Sequence, residues 1–325
     1  MSSEHAARYF AGIDLGGTKI ATAIVDSALN TMGKITVPTL PEEGADAVIA
    51  RMARSVVDVA AGAGLPVQSI AGVCIGSPGP LDQVAGVVVD APNLGWKDVP
   101  VAARIRSSLS VPVTLENDAN VAALAENRLG AGKGTRNMMY VTVSTGIGSG
   151  LILEGKLYRG ASGAAGEFGH ITVLPDGPLC GCGNRGCLEA LASGTAIGKR
   201  GREAAQRPAG AGILSAASGK LCDINSHVVA GAADAGDPTA LAIMRGAFEY
   251  LGTATANVVN LLNLEMVVIG GGVAQVGDIL FDTIRQTVAL RAFPFMASRC
   301  SIVPASLGTD AGVLGAACCA VETFA

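Results

Sequence analysis

The stretch GAAGEFGHITVLPDGPLCGCGNRGCLE, Gly163–Glu189, places one histidine and three cysteines at spacings that suit a single metal ion. His170, Cys180, Cys182 and Cys187 offer one imidazole and three thiolates, a ligand set for four-coordinate zinc that leaves no position open for a catalytic water. Such a metal is structural. Thiolates two and five residues apart share one ion only where the backbone bends sharply, and the glycines at 181, 183 and 186 allow that bend. The alternative, three buried cysteines in a glycine-rich turn, leaves the nearby histidine unexplained. Glu167 and Glu189 lie just outside the set, so a metal that folds this loop also fixes two acids and an imidazole beside one another.

Around this loop stands a chain of 325 residues, long enough for about two domains, with half its residues apolar and a formal net charge of −4. That charge gives no basic footprint for nucleic acid. The N-terminal MSSEHAARYF lacks the basic and apolar pattern of a secretory signal, and charge-free runs such as Val59 to Leu81 are broken by Gly and Pro, against a membrane span. A cytoplasmic location follows as the expectation, and there a cysteine cluster reads as metal-binding. The other cysteines, at 74, 222, 300, 318 and 319, sit in mostly apolar surroundings and read as core residues.

Outward from the loop the pattern is mixed α/β. Tyr9 to Asp14, a turn at Gly16–Gly17 and Ile20 to Val25 read as a hairpin. A helix from about Glu43 to Gly64 presents Val48, Met52, Val56 and Val59 on one face, and Ile70 to Ile75 is a buried strand. The loop GSPGPLDQVAGVVVDAPNLGW is too rich in Gly and Pro for a regular element through its first half. A helix over Val101 to Leu109, a strand over Val113 to Leu115 and a helix capped by Asn117 or Asp118 and ending near Leu129 follow. A second hairpin has its strand at Met138 to Ser144, its turn at Gly146, Gly148 and Gly150, and Leu151 to Leu153 leading away. Two glycine hairpins, each opening a half of the chain, point to two related lobes across a cleft. After the metal loop come helices over Ser193 to Gln206, Ile224 to Ala235 and Pro238 to Leu262. Then come a strand at Met266 to Ile269, a helix near Ile279 to Leu290, a strand at Ile302 to Val303 and a final helix over Ala311 to Val321.

Three glycine turns are candidate phosphate loops, because glycines expose backbone N–H groups that can form an anion-binding concavity. The first follows Asp14 with Gly16, Gly17 and Thr18. Lys19 comes after Thr18, not before it, so this is no Walker A loop. The second spans Ser144 to Gly150 and the third Gly270 to Gly272. Asn117 and Asp118 open a helix, where capping alone accounts for both residue types. The same helix terminus keeps Asp118 ionised, and an ionised carboxylate can accept a hydroxyl proton.

EFGH followed by CGCGNRGCLE, downstream of STGIGSG and with DLGGTK near the start, resembles the ROK family of repressors, open reading frames and kinases, over nearly the whole chain. The resemblance implies a two-lobed actin/hexokinase-like (ribonuclease H-like) sugar kinase fold with a zinc loop. Residues 1–116 plus 311–325 would form the small lobe and 117–310 the large one. It implies an ATP and Mg²⁺ site at Asp14, Gly16, Gly17, Thr18, Lys19, Thr145, Gly146, Gly270, Gly271 and Gly272, with Asp14 near the Mg²⁺. It implies Asp118 as the base, and Gly79 and Asn93 beside Asn117, Glu167, His170 and Glu189 at a sugar. With zinc on one ring nitrogen, His170 keeps the other as an N–H donor to a sugar hydroxyl, and the two glutamates accept from neighbouring hydroxyls.

The leading expectation is therefore an ATP-dependent hexose kinase, nearest the bacterial glucokinases, making glucose 6-phosphate; kinases for N-acetylmannosamine, fructose or allose share the motifs. The family also contains sugar-responsive repressors, which need a DNA-binding helical domain ahead of the first hairpin, where few residues precede Asp14. A zinc-ribbon binding module conflicts with the acidic charge and with ligands lying mid-chain. The expected partners are a sugar and a nucleotide, with no nucleic acid and no membrane. A homodimer or homotetramer is what the resemblance implies.

Overall fold

The computed structural model describes residues 8–325, and counts of elements refer to those. They form two compact units: one holds the residues up to Lys133 together with Leu157–Ala165 and Thr309–Ala325, the other Gly134–Lys156 and Gly166–Gly308.

Unit 1 begins with β1 (Tyr9–Leu15) and β2 (Lys19–Asp26), paired antiparallel with Asp14 opposite Ala21. Both strands are buried on both faces, which is why their sequences run apolar without alternating. The edge strand β3 (Thr31–Pro38) was not anticipated, and its residues are all half-buried or exposed, so no apolar pattern marks it. Helix α1 (Gly44–Gly62) buries Val48, Met52, Val56 and Val59 as expected. Strand β4 (Ile70–Ser77) lies parallel to β1. The Gly/Pro loop is more ordered than its composition suggests, because β5 (Leu81–Asp82), β6 (Val87–Ala91) and β7 (Trp96–Val99) form a small antiparallel sheet within it. Next come α2 (Val101–Leu109), β8 (Val113–Asn117) and α3 (Asp118–Arg128).

Unit 2 contains β9 (Met138–Val143), β10 (Ile147–Leu153) and the first residue of the two-residue strand β11 (Lys156–Leu157), then α4 (Leu188–Ala192), α5 (Gly194–Ala205), α6 (Ala211–Ala216) and α7 (Ser226–Asp234). The long α8 (Pro238–Leu262), β12 (Met266–Gly270), α9 (Asp278–Arg291), α10 (Pro294–Ala297) and β13 (Ser301–Pro304) complete it. The expected turn of the second hairpin moves: Gly148 and Gly150 are inside β10, and the chain reverses between Val143 and Ile147.

The two sheets share one topology. Their orders are β3-β2-β1-β4-β8 and β11-β10-β9-β12-β13, each an antiparallel run extended on its far side by two parallel strands. Of the cysteines expected in the core, Cys74, Cys318 and Cys319 are buried. Cys222 is exposed, because its turn at Leu221–Asp223 leaves no residue buried, and Cys300 is half-exposed.

The last helix, α11 (Ala311–Phe324), belongs to unit 1 and packs on β1, β4 and α3. Glycines make that approach possible. A methyl on Gly12 would stand 2.2 Å from the backbone nitrogen of Ala317, one on Gly315 would stand 1.7 Å from the carbonyl oxygen of Val121, and one on Gly72 would strike the Phe324 ring. Overpacking of this kind costs about 1–3 kcal/mol. Gly315→Ala is therefore expected to lower unfolding free energy by about that amount in urea titration. A change within about 0.5 kcal/mol, the range of an ordinary surface substitution, would mean that α3 moves aside freely.

Candidate active site

In unit 1 the first glycine turn joins β1 to β2. The N–H of Gly16 donates to the Lys19 carbonyl at 3.0 Å and its own carbonyl accepts from the Thr39 hydroxyl at 2.7 Å. That N–H is thus committed to the turn itself, and the donors left for an anion are those of Gly17 and Thr18 and the exposed side chains of Thr18 and Lys19. A Cβ on Gly17 would meet that of Asn93 at 3.3 Å, so the structure brings this turn and Asn93 together. Gly79 has φ of +99° and lies where a methyl would stand 2.1 Å from the Asp90 carbonyl. Backbone geometry and packing on β6 require glycine there whatever else it does.

Asp14 is the penultimate residue of β1 and is half-buried. Burial, and then the Asp118 carboxylate, push its pKa up to about 6 against the opposing pull of Lys19. The two acids therefore feel one another, and a cation between such groups would reverse the shift.

Asp118 opens α3. Asn117 is the cap: its backbone is extended, at φ −68° and ψ 145°, and its Oδ1 accepts from the N–H groups of Ala119 at 2.9 Å and Asn120 at 3.2 Å. Asp118 Oδ1 accepts from the Ala119 N–H at 2.8 Å. Asn117 is thus the cap, and Asp118 shares the first turn with it, its carboxylate standing at the helix N-terminus.

In unit 2 the metal loop is a compact hairpin. Thr172 bridges to Cys187 and Leu179 to Arg185, while a methyl on Gly186, at φ +68°, would lie 1.6 Å from the Leu174 carbonyl oxygen. The donor atoms of His170, Cys180, Cys182 and Cys187 all lie within 4.8 Å of one another. Zinc–sulfur bonds of about 2.3 Å in a tetrahedron put neighbouring sulfurs about 3.8 Å apart. Cys182 and Cys187 stand at 3.7 Å, as do Cys180 Sγ and His170 Nδ1. The residues fit a four-coordinate ion. Burial, followed by contacts with Cys182 and Cys180, pushes the Cys187 thiol up to about 12, so a cation is what would make it a thiolate.

His170 Nδ1 faces the cluster, so Nε2 is the ring nitrogen turned outward, 3.9 Å from Glu167 Oε2. Buried Phe168 anchors the short turn that carries both. Glu189, on the first turn of α4, accepts the Ile147 N–H at 2.9 Å through Oε2. A methyl on Gly146 would lie 2.4 Å from that same oxygen, so Gly146 makes room for the glutamate. The third glycine turn lies over β9: a methyl on Gly271, at φ +90°, would sit 2.4 Å from the Val143 carbonyl oxygen.

Two cavities adjoin these groups. One, of about 320 Å³, brings Thr145 and Gly272 together with Arg202, Asn225 and His227. The other, of about 640 Å³, runs from Gly146 and Glu189 to Lys199, Arg200 and Tyr250. None of the basic residues here was anticipated, because they lie on α5 and α7, segments read from the sequence only as helices. In unit 1, Glu116 was likewise missed, although it stands one residue before Asn117.

The model of the family described as "ROK family" matches residues 10–323. The chain belongs to the ROK family. Among its ROK relatives is the glucokinase of Halalkalibacterium halodurans, 37% identical over 316 residues, which are 95% of this chain and 93% of that one. The ROK hexokinase of Thermus thermophilus superposes with a TM-score of 0.84 at 37% identity, covering 97% of this chain and 98% of its own. A ROK glucokinase from Streptomyces griseus, solved with glucose and AMPPNP, gives 0.79 at 34% identity over 97% and 99%. The xylose repressor of Bacillus subtilis also matches, at 33% identity over 72% of this chain and 56% of its own length. The fold is the actin/hexokinase-like sugar kinase fold of these ROK structures. Among the described residues, no helix is long and apolar enough to cross a membrane.

Two outcomes follow from the geometry. Because the Asp14 pKa is raised from 3.8 to about 6, its contribution to stability is present below pH 4 and is lost as pH rises through 6. Asp14→Asn should therefore raise unfolding free energy at pH 8 by up to about 3 kcal/mol and remove that part of the slope, read as the difference between the two proteins' denaturation curves from pH 4 to 8. Elemental analysis should find one zinc per chain, and Cys182→Ser should lower that occupancy. Equal metal content in both proteins would exclude the four-ligand assignment.

Proposed function

We propose that this protein is an ATP-dependent hexose kinase, a glucokinase, transferring the γ-phosphoryl group of ATP to the 6-hydroxyl of glucose. The observation that carries this reading is the pairing of Asn117 and Asp118 at the start of α3, where the amide is the helix cap and the adjacent carboxylate stands at the helix N-terminus, the position of the proton acceptor. Glucokinases matched across nearly their whole length support the same reading, whereas the repressors are matched over about half of theirs.

Asp118 accepts the proton of the 6-hydroxyl as its oxygen attacks the γ-phosphorus and ADP leaves. Phosphoryl transfer depends mostly on positioning and charge neutralisation, so the remaining residues hold and orient. Glu167 and Glu189 accept from sugar hydroxyls, and His170 donates one N–H from Nε2. Asn117, Asn93 and Gly79 complete the sugar site. Gly17, Thr18, Lys19, Thr145, Gly146 and the turn from Gly270 to Gly272 serve the nucleotide, with Gly16 shaping its turn. Mg²⁺, when bound, neutralises phosphate charge, and Asp14 is the carboxylate placed to hold it. Zinc on His170, Cys180, Cys182 and Cys187 is structural, fixing the tautomer and direction of the imidazole.

Asn and Asp cap helices about equally, so Asp118→Asn should melt close to the parent protein. Its glucose phosphorylation in a coupled ADP-release assay should nevertheless fall by about 10²-fold or more, the usual contribution of general base catalysis. Turnover near the parent value would remove the catalytic assignment while leaving glucose and ATP binding, measured by calorimetry, to be explained separately.

A further inference from the structure

Behind Asp118 lies a carboxylate that none of the roles above uses. Glu116 is the penultimate residue of β8 and is 1% exposed, a position where an ionised acid is costly unless paired and hydrogen-bonded. It is supplied with donors on both oxygens. Oε1 accepts from Gln83 Nε2 at 2.6 Å, Asn120 Nδ2 at 2.9 Å and the backbone N–H of Asn117 at 3.0 Å. Oε2 accepts from Arg159 Nε at 2.6 Å.

These partners surround the catalytic dipeptide. Asn120 is one turn along α3 and donates its own backbone N–H to Asn117 Oδ1, so one carboxylate holds Asn117 from its backbone and from the residue it caps. Asn120 Oδ1 is buried without a partner, and turning the amide over would set that oxygen against Glu116. The orientation keeps the amide nitrogen on the acid at the cost of a buried oxygen without a partner. The segment Leu157–Ala165 closes on the same spot twice, through Arg159 and through Gly163, where a methyl would stand 2.5 Å from Gln83 Oε1.

We propose that Glu116 is a positioning residue for phosphoryl transfer: it fixes Asn117 and the first turn of α3 and, balanced by Arg159, sets the charge felt by Asp118. The inference rests on Asp118 being the base. The charged and titratable groups facing this region are Asp14 from β1, Lys19 from β2, Cys74 from β4, Cys319 from α11 and Arg159 itself. Arg159 is the cation at Glu116, with 43% of its side chain exposed. Removing it leaves an uncompensated negative charge behind a base that works ionised, and removing Glu116 leaves an uncompensated positive one. The two changes therefore push the base in opposite directions.

The test is the pH profile of kcat/KM for glucose at saturating ATP in the full-length holoprotein. Arg159→Gln should move the acid limb up by about one pH unit and Glu116→Gln should move it down by about as much, with the double variant near the parent position. Arg159→Lys keeps the charge and should keep the limb. A structural role alone would lower kcat/KM without moving the limb, so unmoved limbs, or limbs moving the same way, overturn the proposal. If Glu116→Gln does not fold, the Gln and Lys variants of Arg159 decide it between them. An active Asp118→Asn variant would instead remove the base on which the proposal stands, which distinguishes that failure from a dead Asp118→Asn with unmoved limbs.

Discussion

Unit 1 depends on a contact in which there is no space for one carbon atom. Helix α11 lies against β1 through Gly12 and against α3 through Gly315, with backbone nitrogen and carbonyl oxygen where side chains would otherwise be. Dispersion between atoms packed this closely is collectively large, and a core so arranged has few ways to relax. The position of α3 is thus set along its length by a neighbour, and the position of its first turn follows. Asp118 is placed by packing before any ligand is considered.

Unit 2 solves the equivalent problem with chemistry. The segment from Glu167 to Glu189 contains short turns and only a few buried apolar side chains, among them Phe168 and Leu188. Such a segment cannot hold three polar side chains in fixed directions by burial alone. Three thiolates and one imidazole collected within 4.8 Å are the donor set through which a metal ion would tie this segment together. Glu189 adds a second tie by taking the N–H of Ile147, which links the end of the loop to the start of β10. The same residue type, glycine, serves both units by letting backbone come near: to a helix in one case and to a carboxylate in the other.

How much of this was legible in the sequence varied with the range of the interactions involved. Helix α8 could be delimited at both ends, since Asp237 caps it, Pro238 suits its first position and Asn263 follows in the left-handed region at φ +50°. The metal ligands could be read because their spacing is local. Strand β3 could not, since it lies on an edge and buries none of its residues, and the sheet inside the Gly/Pro loop was hidden by its punctuation. The glycines of β10 looked like a turn because no local rule separates a strand glycine from a hairpin glycine. Glu116 was invisible for a different reason. Its partners Gln83 and Arg159 are 33 and 43 residues away, so as a sequence feature it is one more acid in a short strand.

The return of α11 has a consequence for the order in which the molecule can be made. Strands β1, β2 and β4 are made long before α11, so the faces that Gly12 and Gly72 present stay uncovered until residues 309–325 have been synthesised. All of unit 2 intervenes. Domains generally fold as units from the N-terminus during synthesis, and long-range closure is slow and leaves apolar surface exposed meanwhile. Here the half of the protein that begins first has to finish last. All of unit 2 is therefore made while the sheet of unit 1 waits, open on one face, for the helix that covers it.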